Sequence, residues 1–108
     1  MTTLAKTFAA LSDETRLSIV ERLMERGETP AGDLVRDSGM TAPAISRHLK
    51  VLRNAGLVAQ RAEGTRRLYS ARADALRAIS DWTISHRAFW GAGLDRLERA
   101  LMLDEEDD

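Results

Sequence analysis

The sequence has 108 residues, of which 44% are hydrophobic and 31% are charged, and its formal net charge at pH 7 is −1. This length and composition are typical of one small soluble domain, and oligomerisation is an ordinary way for such a domain to bury more apolar surface. The absence of cysteine excludes disulfides, thiolate metal ligands and thiol redox chemistry, and no apolar run approaches the roughly 18 residues that a membrane span requires.

Two helices are predicted in the first 27 residues. The first has an apolar face at helical spacing, formed by Leu4, Phe8 and Leu11. Asp13 can cap the second helix, which ends at Gly27. The predicted apolar face of this second helix consists of Leu17, Val20, Leu23 and Met24.

The next two predicted helices form a helix-turn-helix. Thr29 and Pro30 are a start signal, a capping hydroxyl followed by proline at the first helical position, and this third helix ends before Gly39. After the turn Gly39-Met40-Thr41, Thr41 caps a fourth helix with Pro43 in its first turn. The predicted buried stripe of the fourth helix is Ile45, Leu49 and Leu52, and Gly56 ends the helix.

The period of the pattern changes from Leu57 onward. Leu57–Ala62 and Thr65–Ala71 are predicted to be two short strands joined by a tight turn at Glu63-Gly64. Asp74 then begins one long helix that runs to about Leu103, in which Gly91 and Gly93 are candidate positions for a kink or for a close helix contact. Residues 104–108 are all acidic and are predicted to form a disordered tail.

Charge is distributed unevenly along the chain. Residues 41–72 carry seven basic side chains and one acidic side chain, Glu63, whereas residues 1–40 carry five basic and seven acidic ones. A basic block of this kind indicates nucleic-acid binding, although a solvated surface without that function is the alternative explanation. The basic residues of the block are Arg47, Lys50, Arg53, Arg61, Arg66, Arg67 and Arg72.

The order of these elements predicts how DNA is read. Small residues at the start of the fourth helix let its backbone enter the major groove, where Arg47 reaches guanine, while the hairpin presents arginines to phosphates or the adjacent minor groove. The predicted DNA-binding residues are Thr41, Ala42, Pro43, Ala44, Ser46, Arg47, His48, Lys50, Arg66 and Arg67.

Several blocks of the chain resemble the ArsR/SmtB family of transcriptional repressors. They are residues 11–16 (LSDETR), 43–52 (PAISRHLKVL), 54–58 (NAGLV) and 64–69 (GTRRLY). The resemblance covers about Leu4 to Leu101. It implies a mainly α fold with a β-hairpin, a winged helix-turn-helix with a long carboxy-terminal dimerisation helix, in one domain spanning residues 1–103. It also implies a homodimer that binds a palindromic operator and represses transcription.

The long helix and the first helix are predicted to form the dimer interface, because the apolar face of the long helix is too extended for a domain of this size to cover alone. The predicted interface residues are Leu4, Phe8, Ile79, Trp82, Thr83, His86, Trp90, Leu94, Leu97 and Leu101. Trp82, Phe89 and Trp90 are predicted to be core, with an effector pocket in the interface as the alternative.

The chain departs from the metal-sensing branch of the family. Pro30-Ala31-Gly32 stands where that branch has a Cys-x-Cys pair, and Asp81, His86, Asp95 and Glu98 do not have the spacing of the family's other ligand set. We therefore predict no bound metal and no cofactor, and leave open an unidentified small-molecule effector.

An enzyme and a protein-interaction module are the two alternatives to a DNA-binding regulator. No cysteine nucleophile, glycine-rich phosphate loop or paired His/carboxylate motif is present, so we predict that the chain is not an enzyme. A winged-helix module that binds proteins without specific DNA binding is the alternative to a regulator. The predicted regulator acts on double-stranded DNA in the cytoplasm, without a membrane partner.

Overall fold

The computed structural model describes residues 3–106, which form six helices and three strands. The elements are α1 Thr3–Leu11, α2 Glu14–Arg26, β1 Thr29–Pro30, α3 Ala31–Ser38, α4 Ala42–Asn54, β2 Val58–Glu63, β3 Arg66–Ala71, α5 Ala73–Ser85 and α6 Arg87–Glu106. The chain divides into two compact units, one up to Ala78 and one from Ile79 onward. None of the described helices is long and apolar enough to cross a membrane.

The first unit has one hydrophobic core, to which helices α1 to α4 and the sheet contribute. Leu52 and Leu57 are fully buried at 0% exposure, and burying a leucine side chain stabilises the fold by about 1.5–3 kcal/mol. Ala75 and Leu76 at the start of α5 pack against this core. The buried members are Ala10, Ile19, Val20, Leu23, Leu34, Ile45, Leu49, Leu52, Leu57, Val58 and Tyr69.

Helix α2 begins at the predicted cap but buries a different face. The backbone N–H groups of Thr15 and Arg16 donate to Oδ1 of Asp13 at 2.9 and 3.1 Å, and these bonds, the one from Arg16 foremost, hold the pKa of the Asp13 carboxyl below its usual value. Two members of the predicted apolar face, Leu17 and Met24, do not face the core, since their side chains are 41% and 57% exposed. The apolar side of α2 is rotated, and Ile19 is buried instead, together with Val20 and Leu23.

The predicted start of the third helix at Thr29 is also wrong. Thr29 and Pro30 form strand β1, which pairs with Tyr69 and Leu68 of β3, and α3 begins at Ala31. The Thr29 hydroxyl donates to the Gly27 carbonyl at 2.9 Å, so it does not cap α3. A strand this short is invisible to periodicity, because its pairing partner lies about forty residues away along the chain.

The helix-turn-helix agrees with the prediction. Gly39 has a φ of 71° in the left-handed region, which turns the chain between α3 and α4. The Ala44 N–H donates to the Thr41 hydroxyl at 3.3 Å, so Thr41 caps α4. The predicted stripe of α4 is buried, with exposures of 1% for Ile45, 2% for Leu49 and 0% for Leu52.

The hairpin is displaced by one residue from its prediction. Glu63 pairs with Arg66, which leaves Gly64 and Thr65 as a two-residue loop. Gly64 has a φ of 63° at the first central position, a backbone conformation that glycine adopts without strain. We call the hairpin of β2 and β3 the wing.

The predicted single long helix is two helices. The chain breaks at His86, between α5 and α6, and not at Gly91 or Gly93, which lie inside α6. Side chains at the end of α5 compete for its carbonyls: the Ser85 hydroxyl lies 2.9 and 3.0 Å from the Asp81 and Trp82 carbonyl oxygens, and Nδ1 of His86 lies 2.8 Å from the latter.

A long carboxy-terminal helix is present nevertheless, as predicted. Helix α6 has 20 residues and continues to Glu106, into the segment from Asp104 that we predicted to be disordered. Residues 107 and 108 of the predicted tail lie outside the described residues.

Candidate nucleic-acid interface

The amino-terminal half of α4 presents an exposed surface of small and basic side chains. Its buried stripe faces the core, so the residues between the stripe positions face outward. Of the predicted contact residues on this helix, only Ala44 and His48 are partly buried. The exposed ones are Thr41, Ala42, Pro43, Ser46, Arg47 and Lys50.

His48 differs from the other predicted contact residues. Its side chain retains 19% exposure and its Nδ1 lies 3.4 Å from Nη1 of Arg16 and 4.0 Å from Oδ1 of Asp13. The Arg16 Nε also donates to the Ala10 carbonyl at 2.7 Å. His48 therefore contacts the start of α2, where it helps to hold α4 against the first two helices.

One arginine of the basic block is held by two carboxylates. Arg61 donates to both carboxylate oxygens of Glu28 at 2.6 and 2.7 Å and lies 3.0 Å from Glu63. The hydrogen bonds from Arg61 lower the pKa of the Glu28 carboxyl, and the same pair raises the pKa of the guanidinium further above its usual range. This contact ties β2 to the segment between α2 and β1, and offsets the charge of Arg61.

The remaining basic residues divide by ion pairing. Arg72 pairs with Asp74 at 3.3 Å, so two of the seven cations of the block have acidic partners. The other five make no ion pair with any residue that the structure describes. They are Arg47, Lys50, Arg53, Arg66 and Arg67.

A groove of about 560 Å³ separates α3 and α4 from the wing. Ser46 and Arg53 of α4 line one side, and Gln60, Arg67 and Tyr69 of the wing line the other. No acidic side chain lines this groove. The amide oxygen of Gln60 is buried and has no hydrogen-bond partner among the described residues.

We expect the substitution Gln60→Met to raise the free energy of unfolding by about 1 kcal/mol, because an unpaired buried polar atom costs about 1–3 kcal/mol. Methionine has a similar length and removes the unpaired oxygen. Urea unfolding measures the change, and Gln60→Glu, which places a charge there, is expected to lower the free energy of unfolding. A less stable methionine variant would contradict this account of Gln60.

The predicted dimer residues lie in α1, α5 and α6, apart from His86, which lies between the last two helices. In α1, Leu4 is partly buried and Phe8 is 40% exposed, while Thr7 and Ala10 face the core. Of the predicted residues in α5 and beyond, only Ile79 is partly buried. The exposed ones are Trp82, Thr83, His86, Trp90, Leu94, Leu97 and Leu101. Most of the predicted face is thus open to solvent in the single chain.

The second unit carries an aromatic cluster. The ring centroids of Trp82 and Trp90 are 6.1 Å apart, and those of Phe89 and Trp90 are 5.1 Å apart, both edge-on. The exposed fraction is 36% for Trp82, 63% for Phe89 and 43% for Trp90. The prediction that these side chains are core is therefore wrong for the single chain. An open cavity of about 730 Å³ adjoins both tryptophans and Arg87.

The described part of the chain contains no group of three or more His, Asp or Glu side chains arranged to hold a metal ion. His86, the ligand candidate of the long helix, lies against Trp82 with a centroid separation of 5.0 Å.

Three residues of this surface were missed by the sequence reasoning. Arg53 was counted in the basic block but not assigned to the interface, because it follows the recognition positions along the helix. No role was predicted for Gln60, which lies in a predicted strand. The alternation of side chains along β2 places it on the same face as the buried Val58, and this was the signal available in the sequence. Glu28 lies 33 residues from Arg61, and no local pattern joins them.

Comparison with known proteins assigns the fold to a family. Residues 13–60, from the cap of α2 into β2, match the profile described as "Bacterial regulatory protein, arsR family". The chain is 46% identical over 74 residues to an HTH-type transcriptional regulator of Mycobacterium tuberculosis, a match that covers 68% of each chain. It is 31% identical over 78 residues to a transcriptional repressor of Bacillus subtilis, covering 72% of this chain and 86% of the relative.

A solved structure agrees with these matches. The homodimeric winged helix-turn-helix DNA-binding domain of a Mycobacterium bovis protein superimposes with a TM-score of 0.65 and 29% sequence identity, covering 80% of this chain and 82% of that one. The predicted fold class is confirmed, and the matched family and relatives are transcriptional regulators rather than enzymes. The chain belongs to the arsR family of bacterial regulatory proteins and is a transcriptional regulator with a winged helix-turn-helix DNA-binding domain.

Proposed function

We propose that this chain represses transcription as a homodimer that binds an inverted-repeat operator, with α4 in the major groove and the wing against the adjacent backbone. The observation that carries the proposal is the surplus of positive charge in residues 41–72, where Glu63 is the one acidic residue and five of the seven cations make no ion pair with a described residue. All five lie on α4 or the wing, the two elements that a winged helix-turn-helix presents to DNA.

The contact residues fall into two groups by chemistry. Arg47 and Ser46 read base edges, because they are exposed on the part of α4 that enters the groove. Thr41, Ala42, Pro43 and Ala44 allow the close approach of the backbone. Lys50, Arg66 and Arg67 neutralise phosphates, whereas His48 acts indirectly by holding α4 against α2.

Two further observations support the homodimer. The solved Mycobacterium bovis relative is a homodimer, and α6 of this chain exposes Leu94, Leu97 and Leu101 at 65%, 56% and 58%. Contiguous apolar surface of this extent marks an interaction site. A two-fold dimer places its recognition helices about 34 Å apart, so the half-sites lie one helical turn apart.

Selection of bound fragments from genomic DNA tests the proposal. We expect enrichment of an inverted repeat, followed by footprint protection of both half-sites and repression of a reporter placed behind them. Retention on heparin that is insensitive to salt, with no enriched sequence, would instead favour a protein-interaction module. Because the proposed partner is chromosomal DNA, we expect the protein to act in the cytoplasm.

We expect zinc, cadmium and arsenite to leave the protein–operator complex intact, since the chain has no cysteine. The measurement is operator binding with each ion added at micromolar concentration, with a chelator as the control. A stoichiometric metal site of sub-micromolar affinity in titration calorimetry would contradict this expectation, and Asp81 and His86 would be the first residues to replace.

A further inference from the structure

The groove between α4 and the wing has an arginine on each side and no carboxylate among its lining residues. When a helix lies in the major groove and a hairpin lies over the adjacent minor groove, one sugar-phosphate strand passes between them. In this chain the space between those two elements is the 560 Å³ groove described above.

Two arginines line that groove from opposite sides. Arg53 belongs to the last turn of α4, and Arg67 belongs to β3. Both are exposed, and neither makes an ion pair with a described residue. Two guanidinium groups facing one groove without a carboxylate form a site for a phosphate, which accepts hydrogen bonds from several donors.

The register of the wing separates Arg67 from its neighbour Arg66. Arg67 pairs with Ala62, and Tyr69 pairs with Gln60, so these four residues share one face of the hairpin. Gln60 and Tyr69 line the groove with Arg67. Arg66 is on the opposite face with Arg61, and it does not line this groove. It lines a second groove, beside Asp33 and Arg36 of α3, to which Arg67 also contributes.

From this geometry we infer that Arg53 and Arg67 clamp a single backbone phosphate in each operator half-site, within the groove between α4 and the wing. The inference rests on the proposed function and adds a residue, Arg53, and a specific contact to it. Arg66 contacts a different phosphate, because its side chain emerges on the other face of the wing.

A scan of neutral methylphosphonate substitutions, placed symmetrically through both half-sites, tests the clamp. The wild-type dimer is expected to lose affinity at several positions. At one of these positions, the substituted DNA should bind Arg53→Gln and Arg67→Gln as tightly as the unmodified operator does. The reason is that the phosphate charge that both arginines contact in the wild type no longer contributes to binding by either variant. The affinity of Arg66→Gln should be insensitive to methylphosphonate substitution at a different position. If Arg53→Gln and Arg67→Gln are insensitive at different positions, or at none, the clamp is overturned.

The salt dependence of binding gives a second measure. When Arg53→Gln and Arg67→Gln are combined, the clamped phosphate contact is lost in both subunits. The slope of log K against log salt should then be reduced in magnitude by about 1.8, or about 0.9 for each phosphate. Arg61→Gln is the matched control, since Glu28 and Glu63 already offset its charge, and its slope should equal that of the wild type. An equal reduction in Arg61→Gln would contradict the assignment.

Free phosphate is the alternative ligand for the same chemistry. Titration calorimetry with inorganic phosphate in the absence of DNA distinguishes the two ligands. Stoichiometric binding of inorganic phosphate to the wild type but not to Arg53→Gln, with equal operator affinity in the two proteins, would overturn the clamp and assign the groove to a free anion. We expect no such binding, and a weaker operator complex for Arg53→Gln. Failure of the wild-type chain to bind any DNA would overturn the proposed function as well, whereas intact binding with a failed scan overturns the clamp alone.

Discussion

Leu97→Glu is expected to convert the dimer into a monomer at micromolar concentration. Leu97 lies on α6 between Leu94 and Leu101, and its side chain is 56% exposed in the single chain. In a two-fold interface the substitution buries two unpaired carboxylates, and burying each one costs on the order of several kcal/mol of dimerisation free energy. Operator affinity should then fall by about 10²–10⁴, because the second half-site is no longer bound by a linked recognition helix.

Sedimentation velocity measures the change in mass, and circular dichroism establishes that the variant keeps its helices. Ala92→Glu is the matched control, since it adds the same carboxylate to α6 on the side away from the leucine stripe and is exposed. Two results would show that α6 is not the interface. In the first, the wild-type chain sediments as a monomer. In the second, Leu97→Glu and Ala92→Glu both sediment as dimers.

Arg47→Ala is expected to lower operator affinity and to reduce the preference for operator over scrambled DNA. Arg47 is exposed on α4 beside Ser46 and has no acidic partner among the described residues, so its guanidinium is available to a base edge. A bidentate base contact is worth about 1–3 kcal/mol, and the dimer loses two of them, or about 2–6 kcal/mol in total.

Arg66→Gln provides the contrast for this experiment. A wing contact to phosphate carries no base information, so its loss should weaken operator and scrambled DNA by similar factors. Equal losses on both DNAs for Arg47→Ala would show that base readout belongs to another residue of α4.

Sequence patterns predicted most of the first unit because its signals are local. Asp13 and Thr41 cap the helices that follow them, Gly39 takes the left-handed turn, and the stripe of α4 is buried at all three predicted positions. The predictions failed where distant or competing contacts decide the structure. Thr29 pairs with Tyr69 in a sheet and therefore does not cap α3.

The carboxy-terminal half shows the same limit for helices. A stripe of alternating three- and four-residue steps predicted one helix, since periodicity cannot detect a local change of hydrogen bonding. At the break the His86 N–H donates to the Thr83 carbonyl, three residues back, and the Ser85 and His86 side chains lie within hydrogen-bond distance of carbonyls at the end of α5. Glycine, which we expected to mark the irregularity, is tolerated inside α6 at positions 91 and 93.

The interface was predictable as a charge block, but not in its division of roles. Counting charges treats Arg61 like Arg53, whereas the fold brings Glu28 within hydrogen-bond distance of the first and leaves the second facing a groove. The side of the wing on which Arg66 and Arg67 emerge follows from the register of the hairpin, and our predicted turn was one residue away from the observed one.

The most direct test of the account is a titration of the wild-type chain with its selected operator and with a scrambled duplex of equal length, across a series of salt concentrations. We predict two chains per operator, an affinity ratio of about 10³ or more over the scrambled duplex, and a steep fall of both affinities with salt. Equal affinity for the two duplexes, or binding that is independent of salt, would contradict the claim that α4 and the wing form a sequence-specific DNA interface.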